Sequence, residues 1–185
     1  MIRIPTLTAL LATLAQPALA TVTGGEIMQQ RGDGKFVKLE TDEAFSVGFD
    51  TFDDDNLYAF DEDQNILLEN AIEVDIGGED GRIAAGTVVA SHYVFFDSLA
   101  GVHIGYVDFD AAILGIAAFQ DTMAATDFLA NTDVEYISPD LRGLERGDRV
   151  WVDTDDPRRL WVYWAGSSPG DYIRVFTAKS AGAYS

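Results

Sequence analysis

The sequence predicts an all-β fold, an antiparallel β-sandwich or jelly roll of about ten strands with one short helix. Three observations lead there. Short runs rich in β-branched and aromatic residues recur roughly every 8–12 residues. Clusters of Gly, Pro, Asp and Ser punctuate them. Strands do not alternate with long amphipathic helices, as a parallel α/β sheet would require. No internal repeat or break in composition divides the chain, so one domain is expected from Thr21 to Ser185.

The first twenty residues read as a signal peptide. Arg3 gives a positive start, Leu7–Leu14 (LTALLATL) is apolar but too short to span a bilayer, and Ala18-Leu19-Ala20 is an A-x-A cleavage site ahead of Thr21. Removing those 20 of 185 residues leaves 165, enough for one core. From Thr21 to Gly34 the chain is polar and glycine-containing, and is expected to be loosely held. Its tripeptide Arg31-Gly32-Asp33 is read as a turn.

Lys35–Glu40 and Phe45–Phe49 predict two strands joined by a polar turn. In Glu69–Ile76, Ile72, Val74 and Ile76 share one face opposite Glu73 and Asp75, the mark of a half-buried strand. Gly77–Gly81 is a turn. Ile83–Asp97 is nearly all apolar, which predicts a strand buried on both faces and bent near Gly86 or Ser91. Val102–Asp110 and Ala112–Phe119 follow, each with an internal glycine that implies a bulge or a close backbone approach. Asp121–Leu129 is the helix, with Asp121 as its cap. Val134–Ile137, Arg149–Asp153, Leu160–Trp164 and Asp171–Thr177 are the closing strands.

Composition narrows the chemistry. No cysteine is present, which removes disulfides, thiolate metal sites and a cysteine nucleophile together. The formal charge of −19 becomes −20 once Arg3 is removed, and only Lys35, Lys38 and Lys179 are lysines. Phosphate contacts need clustered Lys and Arg, so neither nucleic acid nor an anionic membrane is an expected partner. No run after the signal peptide is apolar and long enough to span a bilayer as a helix.

The densest oxygen donors lie in Thr51–Glu69. Calcium takes six to eight oxygen ligands. Asp61, Asp63 and Asn65 have D-x-D-x-N spacing, and Asp53 and Asp55 complete a sphere if Leu57–Phe60 brings the two clusters together. Ile66 and Ile72 occupy the positions where an EF-hand needs glycine and glutamate, so the expected Ca2+ site is not an EF-hand. Solvated acidic turns are the alternative. The two histidines, His92 and His103, form a transition-metal site with Asp97 or Asp108 if their strands are neighbours; otherwise each is an ordinary hydrogen-bonded histidine. No G-x-S-x-G, Walker A or Rossmann glycine pattern occurs. In Leu160-Trp161-Val162-Tyr163-Trp164, alternation puts Trp161 and Tyr163 on one face, as a sugar-stacking platform or as cross-strand packing.

Six segments carry a resemblance: Leu57–Leu67 (LYAFDEDQNIL), Ser91–Asp97 (SHYVFFD), Val107–Ile116 (VDFDAAILGI), Thr126–Leu129 (TDFL), Arg142–Glu145 (RGLE) and Pro169–Thr177 (PGDYIRVFT). In these the chain resembles secreted proteins of Gram-negative, often marine, bacteria that commonly end in PEP-CTERM or VPLPA-type sorting tails. The resemblance implies an exported β-rich domain and brings no established activity. Lys179–Ser185 has neither the hydrophobic anchor nor the arginine cluster of such a tail, so covalent sorting to the envelope is not expected.

The expected function is a secreted, non-catalytic, calcium-stabilised sandwich that binds glycan or extracellular matrix at the bacterial surface. A structural matrix component without a small ligand and a polysaccharide hydrolase are the alternatives.

Overall fold

The computed structural model describes residues 20–29, 32–98, 100–167 and 170–180. The expected signal peptide therefore lies outside this set, apart from Ala20, and so does Arg31 of the Arg31-Gly32-Asp33 tripeptide. The chain is an all-β sandwich with one short helix, as its sequence predicts. Its early strands are β1 (Val22–Gln29), β2 (Phe36–Lys38), β3 (Phe45–Val47), β4 (Leu57–Asp61) and β5 (Ile66–Leu67). Short strands β6 (Ile72–Glu73), β7 (Ile76–Gly77) and β8 (Arg82–Ile83) lead into the long β9 (Val88–Phe96), β10 (Ala100–Phe109) and β11 (Ile113–Ala117). After α1 (Gln120–Ala125) come β12 (Val134–Tyr136), β13 (Arg149–Val152), β14 (Arg159–Ser167) and β15 (Asp171–Ala178).

Two sheets face each other. The smaller runs β1-β10-β14-β13, and the larger runs β2-β4-β9-β15-β11-β7 with β5 also on β9. Between them Val107, Phe109, Leu160, Val162 and Trp164 of one sheet meet Leu57, Val94, Phe96, Ile173 and Val175 of the other. The larger sheet is covered on its far side as well, where Tyr58, Phe60, Tyr93, Phe95 and Phe176 pack against Leu68, Ile72, Met123, Leu129 and Val134. Burial on both faces explains the largely apolar run of β9, which continues through Ser91.

Three expectations change, and the expected close approach at the glycine of β11 is found. Thr21–Gly34 contains β1, eight residues paired antiparallel with β10. β2 and β3 are not partners: each pairs parallel, with β4 and β12 respectively. The glycine of β11 is required by close approach, because a Cβ on Gly115 would stand 2.9 Å from both Val74 methyl carbons. Finally, α1 is not capped by Asp121, which sits inside the first turn. The Asp75 carboxylate instead anchors the chain leading into the helix from 43 residues away, accepting the Ala118 N–H at 2.7 Å, the Phe119 N–H at 3.0 Å and the Thr122 hydroxyl.

One ion pair ties the layers. Arg174 on β15 and Glu62, just after β4, are both fully buried and meet in a bidentate pair at 2.7 and 3.0 Å. Glu62 also accepts the Ser91 and Tyr136 hydroxyls, each at 2.6 Å. Arg174 donates further to the Met123 carbonyl, Thr126 Oγ1 and Asp127 Oδ1. Asp127 in turn receives Arg142 through two bonds of 2.7 and 2.8 Å. A second buried carboxyl lacks such support. Asp171 has an unpartnered buried Oδ1, and burial, then the neighbouring Asp148 carboxylate, push it up to about 8.

Two predictions follow from these groups. Arg174→Met or Glu62→Leu alone strands a buried charge and should cost about 3–5 kcal/mol in urea unfolding, whereas the double replacement should cost less than either single change. Asp171 holds in the folded state a proton that the unfolded chain releases near pH 4. Its contribution is full below that pH and lost as pH rises through about 8, so Asp171→Asn should raise the melting midpoint at pH 7 and leave it little changed at pH 4.

Candidate functional site

The outward face of the smaller sheet gathers the aromatic residues. Along β14 the alternation is as its sequence predicts: Leu160, Val162 and Trp164 are buried, while Trp161 and Tyr163 face outward. On β10 the inward residues are His103, Gly105, Val107 and Phe109, and Ile104, Tyr106 and Asp108 face outward. Pairing register then lines up Glu26, Tyr106, Trp161 and Trp151 in one row across all four strands.

The row is held in place. Trp151 and Trp161 stack at 6.2 Å between centroids and 10° between planes, and Tyr106 meets Trp161 edge-on at 5.3 Å. Trp161 Nε1 donates to Asp153 at 2.7 Å, and the Tyr106 hydroxyl donates to Glu26 at 3.0 Å. That bond, followed by slight burial, raises the Tyr106 phenol above its ordinary value. The Arg159 guanidinium lies 3.8 Å over the Tyr106 ring and is gripped by Asp108 through two bonds of 2.7 and 2.9 Å. The outermost ring is the most open, with Trp151 41 % exposed. Tyr163 lies in the next row, between Ile104 and Arg149.

Tyr106, Trp151 and Arg159 were not among the expected ligand residues. Alternation in Val102–Asp110 and in Arg149–Asp153 could have placed Tyr106 and Trp151 outward; only the register reveals that they share a row with Trp161.

The five expected calcium ligands do not converge. β4 is a straight buried strand, about 13 Å long at ~3.3 Å per residue, and it holds the two acidic clusters apart at its ends. At one end Asp55 accepts the Ser98 hydroxyl, and Asp53 is exposed, its carboxyl raised by slight burial and then by Asp50 and Asp97. At the other end Asp61 is saturated by Thr21 Oγ1, Val22 N, His92 Nδ1 and Lys38 Nζ at 2.6–2.9 Å. Burial alone would raise the Asp61 carboxyl, but these donors, His92 foremost, hold it well below the usual carboxylate range. Asp63 is raised by burial and then by Glu62, and Asn65 stands in the left-handed region at φ +58°. Among the described residues no group of three His, Asp or Glu is placed to hold a metal.

The histidines do not meet either. His92 lies on β9 in the larger sheet and His103 on β10 in the smaller one. His103 packs 3.9 Å from the Phe96 ring with neither nitrogen bonded, and burial lowers its basicity. Asp108 is committed to Arg159. Asp97 accepts the Thr51 and Phe52 N–H groups, both at 2.9 Å, and the Tyr172 hydroxyl at 2.9 Å.

His92 bridges Asp61 and Thr177 at 2.8 and 2.9 Å, an acid–base–hydroxyl chain of the kind that activates a nucleophile. His92 and Thr177 are both fully buried, so this chain cross-links β4, β9 and β15 and does not face a substrate. A groove of about 680 Å3 lies between Ile66–Glu73 and α1 with the turn after it, lined by Ile72, Ala125 and Phe128 among others.

No known protein family, curated protein or solved structure matches this chain.

Asp61 is thus a fold anchor. Asp61→Asn should lower stability by about 1–3 kcal/mol in EDTA and in millimolar calcium alike, by thermal unfolding at constant ionic strength. Its contribution is present above the ordinary carboxylate range and lost as pH falls below it, so the parent and the variant should converge in acid.

Proposed function

We propose that the protein is an exported, non-catalytic binding module that holds a glycan or matrix polysaccharide on the outward face of its four-stranded sheet. The observation that carries this is the Tyr106–Trp161–Trp151 row, an apolar strip on a face turned to solvent. Sugar rings offer flat C–H faces and a hydroxyl rim, and such a strip with carboxylates beside it matches both. Glu26 and Asp153 are the acceptors nearest the rings.

Rigidity favours binding here. The indole of Trp161 is fixed by Asp153, by the stack on Trp151 and by Tyr106, so little side-chain freedom remains to be lost. The expected A-x-A cleavage and the resemblance to exported proteins place this face outside the cytoplasm in our reading. Calcium is not part of it.

Binding of the exported chain to a panel of neutral, amine-bearing and sulfated glycans tests the proposal. Trp151→Ala should weaken the best ligand at least tenfold, about 1.4 kcal/mol, while stability stays within about 1 kcal/mol of the parent. Trp161→Ala should weaken it further. Binding that survives both substitutions would move the site elsewhere.

A further inference from the structure

Thr21 is tied to the sandwich by its backbone and by its side chain. Its N–H donates to Asp110 Oδ1 at 3.0 Å, and the Asp110 N–H returns a bond to the Thr21 carbonyl at 3.0 Å. Thr21 Oγ1 donates to Asp61 at 2.6 Å and accepts from Lys38 Nζ at 2.7 Å. Val22 N–H adds a bond to Asp61 at 2.8 Å.

The charges around this residue are unevenly matched. Lys38 is taken up by Asp61 at 2.9 Å, and His92 also faces Asp61. Asp110 is half-buried and faces the Thr21 nitrogen, yet among the described residues no Lys, Arg or His pairs with it. An amide N–H gives it one hydrogen bond and no charge. The A-x-A motif Ala18-Leu19-Ala20 puts cleavage at the bond whose scission turns this nitrogen into an ammonium.

We propose that the α-ammonium released by hydrolysis of the Ala20–Thr21 bond is seated on the Asp110 carboxylate, so that processing adds an N-terminal ion pair which locks β1 onto the sandwich. This rests on reading the chain as exported. The 3.0 Å separation already lies within ion-pair reach, so the product needs no rearrangement. Ala20 is itself fully buried, so the bond is open to a peptidase only before the chain folds, as during export. Maturation and the final closure of β1 are then successive steps.

The full chain, residues 1–185, is expressed in a Gram-negative host, and the N-terminus of the exported product is read by mass spectrometry; Thr21 is expected. Asp110→Asn is then compared in that product and in the uncleaved chain retained in the cytoplasm. Asparagine keeps an oxygen acceptor, so the amide bond of the uncleaved form survives. The substitution should lower the melting midpoint of the exported form by about 2–4 °C more than that of the uncleaved form. The excess should shrink in about 0.5 M sodium chloride. A product beginning elsewhere would overturn the export reading and the proposal with it. A Thr21 terminus with equal cost in both forms would overturn the ion pair alone. Asp110→Ser replaces the asparagine variant if that does not fold.

Discussion

The buried pair of Glu62 and Arg174 is the constraint around which the larger sheet is arranged. Two opposite charges with no solvent exposure cost several kcal/mol each to desolvate, and only a full set of partners offsets that. Here the set is complete and comes from distant parts of the chain. It joins the end of β4, the middle of β9 through Ser91, β12 through Tyr136, the end of α1 through the Met123 carbonyl, and β15. Asp127 and Arg142 extend it toward the surface, where Asp127 is partly exposed and the two arginines hold its carboxyl low against the effect of burial. Because each donor and acceptor is matched, the helix and the small strands on the far side of the sheet have one docking position.

The network draws on five short stretches spread along the chain, through Glu62, Ser91, Asp127, Arg142 and Arg174. Tyr106, Trp151 and Trp161 take no part in it. The network specifies how the larger sheet and its cover dock, and the aromatic row is laid over that frame on the outward side of the smaller sheet. Substitutions on the row need not disturb the pair, since the whole inter-sheet core lies between them.

What was legible in the sequence depended on where the deciding contacts lie. Leu160–Trp164 has one wet face and one dry face, so alternation alone orients it. β9 is dry on both faces, and its apolar run says so. β1 was missed because its glycines resemble loop composition, yet a Cβ on Gly25 would stand 2.6 Å from both the Phe36 ring and the Tyr106 carbonyl. That requirement comes from β2 and β10, and nothing near Gly25 in sequence announces it. The acidic run at 61–65 is likewise engaged by partners distant in sequence. Its second member, Glu62, belongs to an arginine 112 residues away, and Asp61 belongs to Thr21, Lys38 and His92. Spacing suited to a cation says little when the side chains already have partners.

Those partnerships recast the acidity of the chain. A sandwich of this size without cysteine needs other means of fixing its loops, and carboxylates supply them by accepting backbone N–H groups across long separations. Asp97 holds Thr51 and Phe52, Asp75 holds the start of α1, Asp61 holds Val22 and Asp110 holds Thr21. Asp153 and Asp148 do the same at shorter range, the first fixing its own turn and the Trp161 ring, the second joining Glu145 to Ala165. A carboxylate accepts several such bonds at once, and a bond to a charged acceptor contributes more than a neutral one. Part of the negative charge is thus structural, taken up by backbone donors that fix loops and strand ends. The same chemistry fixes the outer face: Asp153 and Asp108 hold Trp161 and Arg159 in place along the row. Fold and candidate site are therefore built with one device, and they differ in whether the group a carboxylate holds points inward or toward solvent.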